Sequence, residues 1–83
     1  MAKYIIFLKP MTADAVKTAC AAVITASTGT GIVLDWAYVD MTTHQPICCW
    51  EAPDRKGLEG LFRHAGQQIE SLHDVETYKA PRG

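Results

Sequence analysis

The residues best suited to chemistry cluster in the middle of the chain: Cys48, Cys49 and Glu51, with Trp36, Tyr38 and Trp50 close by. A thiolate is a good ligand for nickel or zinc, and a thiol beside a positive group becomes a nucleophile, so each cysteine could act singly. As neighbours on a strand they point to opposite faces and cannot grip one ion together. Each also fits a simpler role as a small buried hydrophobe in a central strand. Glu51 would share a face with Ile47 and Cys49. Enclosed there, its carboxylate needs a hydrogen bond or a cation, which makes it a candidate general base or metal ligand; at a sheet end it is merely solvated.

His44, His64 and His73 are the remaining soft ligands. None forms the i, i+4 pair of a helical zinc site, and no Cys-x-x-Cys is present. His64 falls at a helix C-terminus, where the dipole favours imidazolium, so it is either a stabilising end-group or a third metal candidate beside Cys48 and Glu51. His44 falls in a hairpin and His73 near the last strand. Trp36, Tyr38 and Trp50 are large amphipathic rings on neighbouring strands, suited to lining a small-molecule cleft or to forming the core of a subunit interface. No Ser-His-Asp order occurs, and Gly29-Thr30-Gly31 is too short for a dinucleotide signature.

These residues need elements to position them, and hydrophobic spacing supplies six. Lys3 to Leu8 is a short apolar run stopped by Pro10, a strand. Val16, Ala19, Cys20, Val23 and Ile24 form one helical stripe, opened by Thr12 as N-cap with Asp14 in the first turn and ending near Ser27. Ile32 to Asp40 and Ile47 to Ala52 are β-branched and aromatic runs joined by a short polar connection, a hairpin. Asp54 caps a second helix carrying Leu58, Leu61, Phe62 and Ala65, which stops at Gly66. Ile69 and Leu72 are expected in a connection beneath that helix, His73 to Lys79 as a last strand, and Ala80 to Gly83 as a frayed tail.

The order βαββαβ is the ferredoxin-like α+β plan, an antiparallel sheet in strand order 4-1-3-2 with both helices on one face. At 83 residues and 9.1 kDa the chain is expected to be one domain with a thin core. Its central strands are apolar on both sides: Tyr4, Ile6 and Leu8 against Ile5 and Phe7, and Ile47 and Cys49 against Cys48 and Trp50. Helices cover one side only, so a homodimer packed sheet against sheet is expected. Eight basic against nine acidic residues, a net charge of −1, give no field for nucleic acid. The apolar run at Tyr4 to Leu8 is too short for a signal peptide or a membrane span, and three cysteines make a poor disulfide framework, so a cytoplasmic location with reduced thiols is expected.

Trp36-Ala37-Tyr38-Val39-Asp40, Cys48-Cys49-Trp50-Glu51-Ala52-Pro53-Asp54 and His64-Ala65-Gly66 resemble a bacterial family of small nickel-binding and nickel-responsive ferredoxin-like proteins, over nearly the whole chain. The resemblance implies a homodimeric α/β sandwich, and Cys48, Glu51 and Asp54 are the positions that match its pattern. Nickel-binding members carry histidines on or just after the first strand and around the second helix. Here those places read Ile6-Phe7-Leu8-Lys9 and Leu61, Phe62 and Gln67, so the resemblance implies the fold more strongly than the metal.

The leading expectation is a dimeric, non-enzymatic binding domain for a transition-metal ion, nickel or zinc, or for a small apolar ligand. A cofactor-independent isomerase or monooxygenase using the cleft of a dimeric α/β barrel is the enzymatic alternative, and an assembly module with no site is the third.

Overall fold

The computed structural model describes residues 1–78; Lys79 and the tail 80–83 lie outside the described residues. Six elements follow in order: β1 (Ala2–Leu8), α1 (Ala13–Ser27), β2 (Val33–Val39), β3 (Pro46–Ala52), α2 (Arg55–His64) and β4 (Ile69–Val75). The sheet runs β2-β3-β1-β4 with every neighbouring pair antiparallel, which is the ferredoxin-like arrangement with the most apolar strands, β1 and β3, in the centre. No helix among the described residues is long and apolar enough to cross a membrane.

Both helices start on the side chains that the sequence supplies for that purpose. The Thr12 hydroxyl accepts from the Ala15 amide at 3.2 Å, and the Asp54 carboxylate accepts from the Gly57 amide at 2.7 Å, each satisfying an amide left over at a helix N-terminus. The end of α2 is a Schellman turn. Gly66 adopts φ +74°, its amide donates to the Arg63 carbonyl at 3.0 Å, and the Gln67 amide donates to the Phe62 carbonyl at 2.8 Å.

That turn reverses the chain so sharply that β4 begins at Ile69, not at His73 as the spacing predicts. Ile69 and Leu72, three apart, read as helical or loop residues because a strand should repeat every two. A bulge between the partners of Phe7 and Leu8 accounts for the odd spacing. It lets Ile69 pair with Leu8 and Leu72 with Ile6, both beside residues of the helix-covered side.

Beneath the helices the core is assembled from alternate residues: Tyr4, Ile6 and Leu8 of β1, Cys48, Trp50 and Ala52 of β3, and Leu58, Leu61 and Phe62 of α2. Trp50 meets the Phe62 ring edge-on, with centroids 5.6 Å apart. Helix α1 adds less, burying only Ala19 and Val23.

Candidate functional site

The opposite face of the sheet carries no helix, and its floor is set by the pairings Phe7 with Ile47, Ile5 with Cys49, and Lys3 with Glu51. Strand β2 contributes unevenly. Leu34 pairs with Trp50 on the helix-covered side, yet Trp36 pairs with Cys49 and Tyr38 with Ile47 on the open side, because the register shifts between Leu34 and Trp36. The extra residue is Asp35, and the bulge turns it toward the open face beside Trp36. From there its carboxylate accepts from the Lys3 ammonium of β1 at 3.0 Å and from the Cys49 thiol of β3 at 3.9 Å, a polar bridge across three strands.

This cluster was not visible in the residue types alone, since strict alternation puts Asp35 on the face opposite Trp36. The one available signal was an aspartate embedded in Val33-Leu34-Asp35-Trp36, where an unpartnered carboxylate would be costly. The hydrogen bond from Lys3 to Asp35 raises the Lys3 pKa, with the charges of Asp35 and Glu51 acting in the same sense and partial burial against it. Cys49 is only 2% exposed, covered by its own neighbours. Its thiol is pushed up by burial and by Asp35, and Lys3 offsets only part of this, so the positive neighbour does not make it a thiolate.

Around the cluster lies a shallow depression of about 370 Å³, walled by Ile5, Trp36, Val75 and Tyr78 with Lys3 and Cys49 at its base. Trp36 and Tyr38 stack at 4.5 Å, tilted by 53°, and stand 44% and 62% exposed. At the β4 edge of the same face His73 sets its ring edge-on to Phe7 at 5.7 Å, with Nε2 3.1 Å from the Ser71 hydroxyl.

The expected metal set does not come together. Cys48 lies on the helix-covered side of β3, where its thiol points to the Ile6 carbonyl at 3.8 Å; Glu51 lies on the open side, opposite Lys3; and His64 is exposed at the end of α2. Odd spacing along a strand separates Cys48 from Glu51 as surely as it separates Cys48 from Cys49. Among the described residues no group of three or more His, Cys, Asp or Glu side chains is placed to hold an ion. Burial pushes the Cys48 thiol up to about 11, against a weaker opposite pull from the Trp50 indole N–H. The described residues therefore do not fit a nickel or zinc centre within one chain.

The expected aromatic cleft divides in the same way. Trp36 and Tyr38 share the open face, but Trp50 points to the helices and is 2% exposed, so it belongs to the core and not to a cleft shared with Trp36. His44 is half-buried and not simply a solvated loop residue: it takes φ 60° at the hairpin, where its amide donates to the Asp40 carbonyl at 2.7 Å and its carbonyl accepts from Met11 at 3.3 Å.

No protein-family model matches this sequence, and no curated protein matches it. Among solved structures the chain is similar to SCO4226 from Streptomyces coelicolor A3(2), with a TM-score of 0.79 over 94% of this chain and 100% of that one, at 17% identity. At that identity the likeness is one of fold, and it places this chain among ferredoxin-like α+β domains.

Proposed function

We propose that the chain works as a homodimeric binding domain, two copies meeting through the open sheet face and enclosing a small apolar molecule between them. The observation that carries this reading is the stacked, exposed pair Trp36 and Tyr38 on a sheet face that also carries the half-buried apolar side chains Ile5, Phe7 and Ile47, with Lys3, Asp35, Glu51 and His73 as its large polar ones. A solvated antiparallel sheet normally turns polar residues to water on its free side. Four strands of seven residues make a face of roughly 19 by 23 Å, a projected area of ~440 Å², about half of the ~800 Å² per partner of a standard interface and on the scale of a small one.

A second copy is the occupant that suits this face best. The middle of the face is self-complementary in being apolar, Lys3 and Asp35 neutralise one another with Glu51 opposite Lys3 at one end, and a chain of net charge −1 scarcely repels its twin. Closure would turn the depression beside Trp36 into a cleft with aromatic walls and Lys3 and Cys49 at its base. Binding is favoured over nucleophilic catalysis because all three thiols are held above their ordinary pKa by burial.

Tyr38→Lys and Trp36→Lys test the reading. Each keeps the circular dichroism of the parent and yields a monomer, and small aromatic compounds that raise the melting temperature of the parent leave these variants unmoved. Variants that remain dimeric, or respond to the same compounds, overturn it.

A further inference from the structure

We infer that the molecule held beside Trp36 is a neutral, flat aromatic compound with one carbonyl oxygen at its edge, the oxygen received by the Lys3 ammonium and the ring lying along Trp36, and that acids of the same shape are turned away. This inference rests on the dimeric binding reading above and names the class of molecule that its cleft takes.

The floor and walls of the depression set the shape of the occupant. Its volume of about 370 Å³ falls within the ~300–1,000 Å³ of small-molecule sites, and it is open without any movement of the chain. Trp36 of the edge strand β2 and Tyr78, just beyond β4 at the other edge, stand on its two sides, with Cys49, Ile5 and Val75 on the strands between them. Both rings are held in place: Trp36 packs on Tyr38, and the Tyr78 hydroxyl donates to the Glu76 carboxylate at 2.8 Å. Aromatic walls of this kind favour a ring, which stacks on them with a large contact area.

Lys3 supplies the polar end, and its neighbours decide the charge of the ligand. Among the described residues it is the one Lys or Arg lining the depression, and its side chain keeps 28% exposure, so the ammonium is within reach. Of its three donors Asp35 takes one, at 3.0 Å, which leaves two for an acceptor. The carboxylates of Asp35, of Glu51 opposite on β3 and of Glu76 on the wall set three negative charges against this one positive charge. A neutral oxygen can use a spare donor at no electrostatic cost. A ligand carboxylate would have to share a cation that Asp35 already claims and to approach an excess of negative charge, whereas an organic cation would meet the ammonium itself at the base.

Acetophenone, ethylbenzene and benzoate share a ring and differ in the acceptor and its charge. Each is titrated into the full chain at neutral pH while the Trp36 indole N–H is followed by nitrogen-15 NMR; two tryptophans give two such signals, told apart with Trp36→Phe. Acetophenone is expected to bind roughly three- to tenfold more tightly than ethylbenzene, the gain of one hydrogen bond, with benzoate the weakest. Lys3→Met brings acetophenone down to the level of ethylbenzene. Asp35→Asn frees the ammonium, strengthens benzoate roughly two- to fivefold and leaves ethylbenzene unchanged, an effect that a general loosening of the site does not produce. Should either variant fail to fold, the ranking of the three probes on the parent decides. The inference is overturned if ketone and hydrocarbon bind alike, if benzoate binds most tightly, or if none of the three moves the Trp36 signal to saturation. Sedimentation of the same samples reports the dimer separately: a dimer with the wrong ranking overturns this inference and leaves the assembly standing, and a monomer with the expected ranking does the reverse.

Discussion

Asp35 owes its place beside Lys3 and Cys49 to one extra residue in β2, and the fate of the three cysteines follows from such local placements. Cys48 sits in the core with its thiol pushed up to about 11, Cys49 is covered on the open face with its thiol also raised, and Cys20 is half-buried on α1 with a thiol raised by burial alone. Alkylation of the native protein at pH 8, read by mass spectrometry, is therefore expected to modify Cys20 first and Cys48 only on unfolding; rapid labelling of Cys48 would contradict its placement. Metal content follows from the same geometry. Purified without a histidine tag, the chain is expected to carry far less than one nickel or zinc ion, unchanged by Cys48→Ser, and a full equivalent lost in that variant would reinstate the metal reading. Asp40 offers a pH test. The amides of Thr42 and Thr43 donate to its carboxylate at 2.8 and 3.2 Å and hold its pKa below the ordinary value. A depressed folded pKa gives stability that is present above the unfolded value of ~4 and is lost as pH falls through the folded one. Urea midpoints measured between pH 5 and 2 should fall less steeply in Asp40→Ala than in the parent; equal slopes would remove Asp40 from the acid transition.

Among the elements, α2 shows how a cap and a glycine depend on one another. A side-chain carbon added at Gly57 would meet the capping oxygen of Asp54 at 3.0 Å, whereas one at Gly60 meets nothing within 4 Å. Gly60→Ala is thus expected to stabilise by about 0.5–1 kcal/mol, the ordinary gain within a helix, while Gly57→Ala gains little or nothing because the cap must shift. Asp54→Ala should cost about 1 kcal/mol in urea unfolding. Equal gains at the two glycines would show that the cap contributes nothing. Both helices, their caps and the two central strands were legible in the sequence, because capping residues and apolar runs are local signals. The edge strands were legible only in part. Each carries a bulge, and a bulge places residues three apart on one face, as with Leu34 and Ala37 or Ile69 and Leu72, which defeats an argument from alternation. Alternation alone therefore starts β4 too late, groups Trp50 with Trp36 and passes over Asp35. Cys48 and Glu51 were separable in principle, since β3 is regular and their spacing is odd. What was missing was which side the helices cover.

For the whole molecule, a sheet with helices on one side leaves a face that must be wetted or covered. The residues there divide into an apolar field, which includes the exposed rings of Trp36 and Tyr38, and a polar set made of the Lys3–Asp35 ion pair, Glu51 and His73. Apolar surface of this kind on a small domain is what supports the proposed contact with a second copy. The assembly claim is the central one, because it also decides whether the depression beside Trp36 becomes a cleft. Sedimentation equilibrium of the untagged chain from low micromolar upward tests it most directly. The fold described here predicts a mass twice the 9.1 kDa of one chain across that range; a single-chain mass throughout, with the native circular dichroism intact, would contradict it.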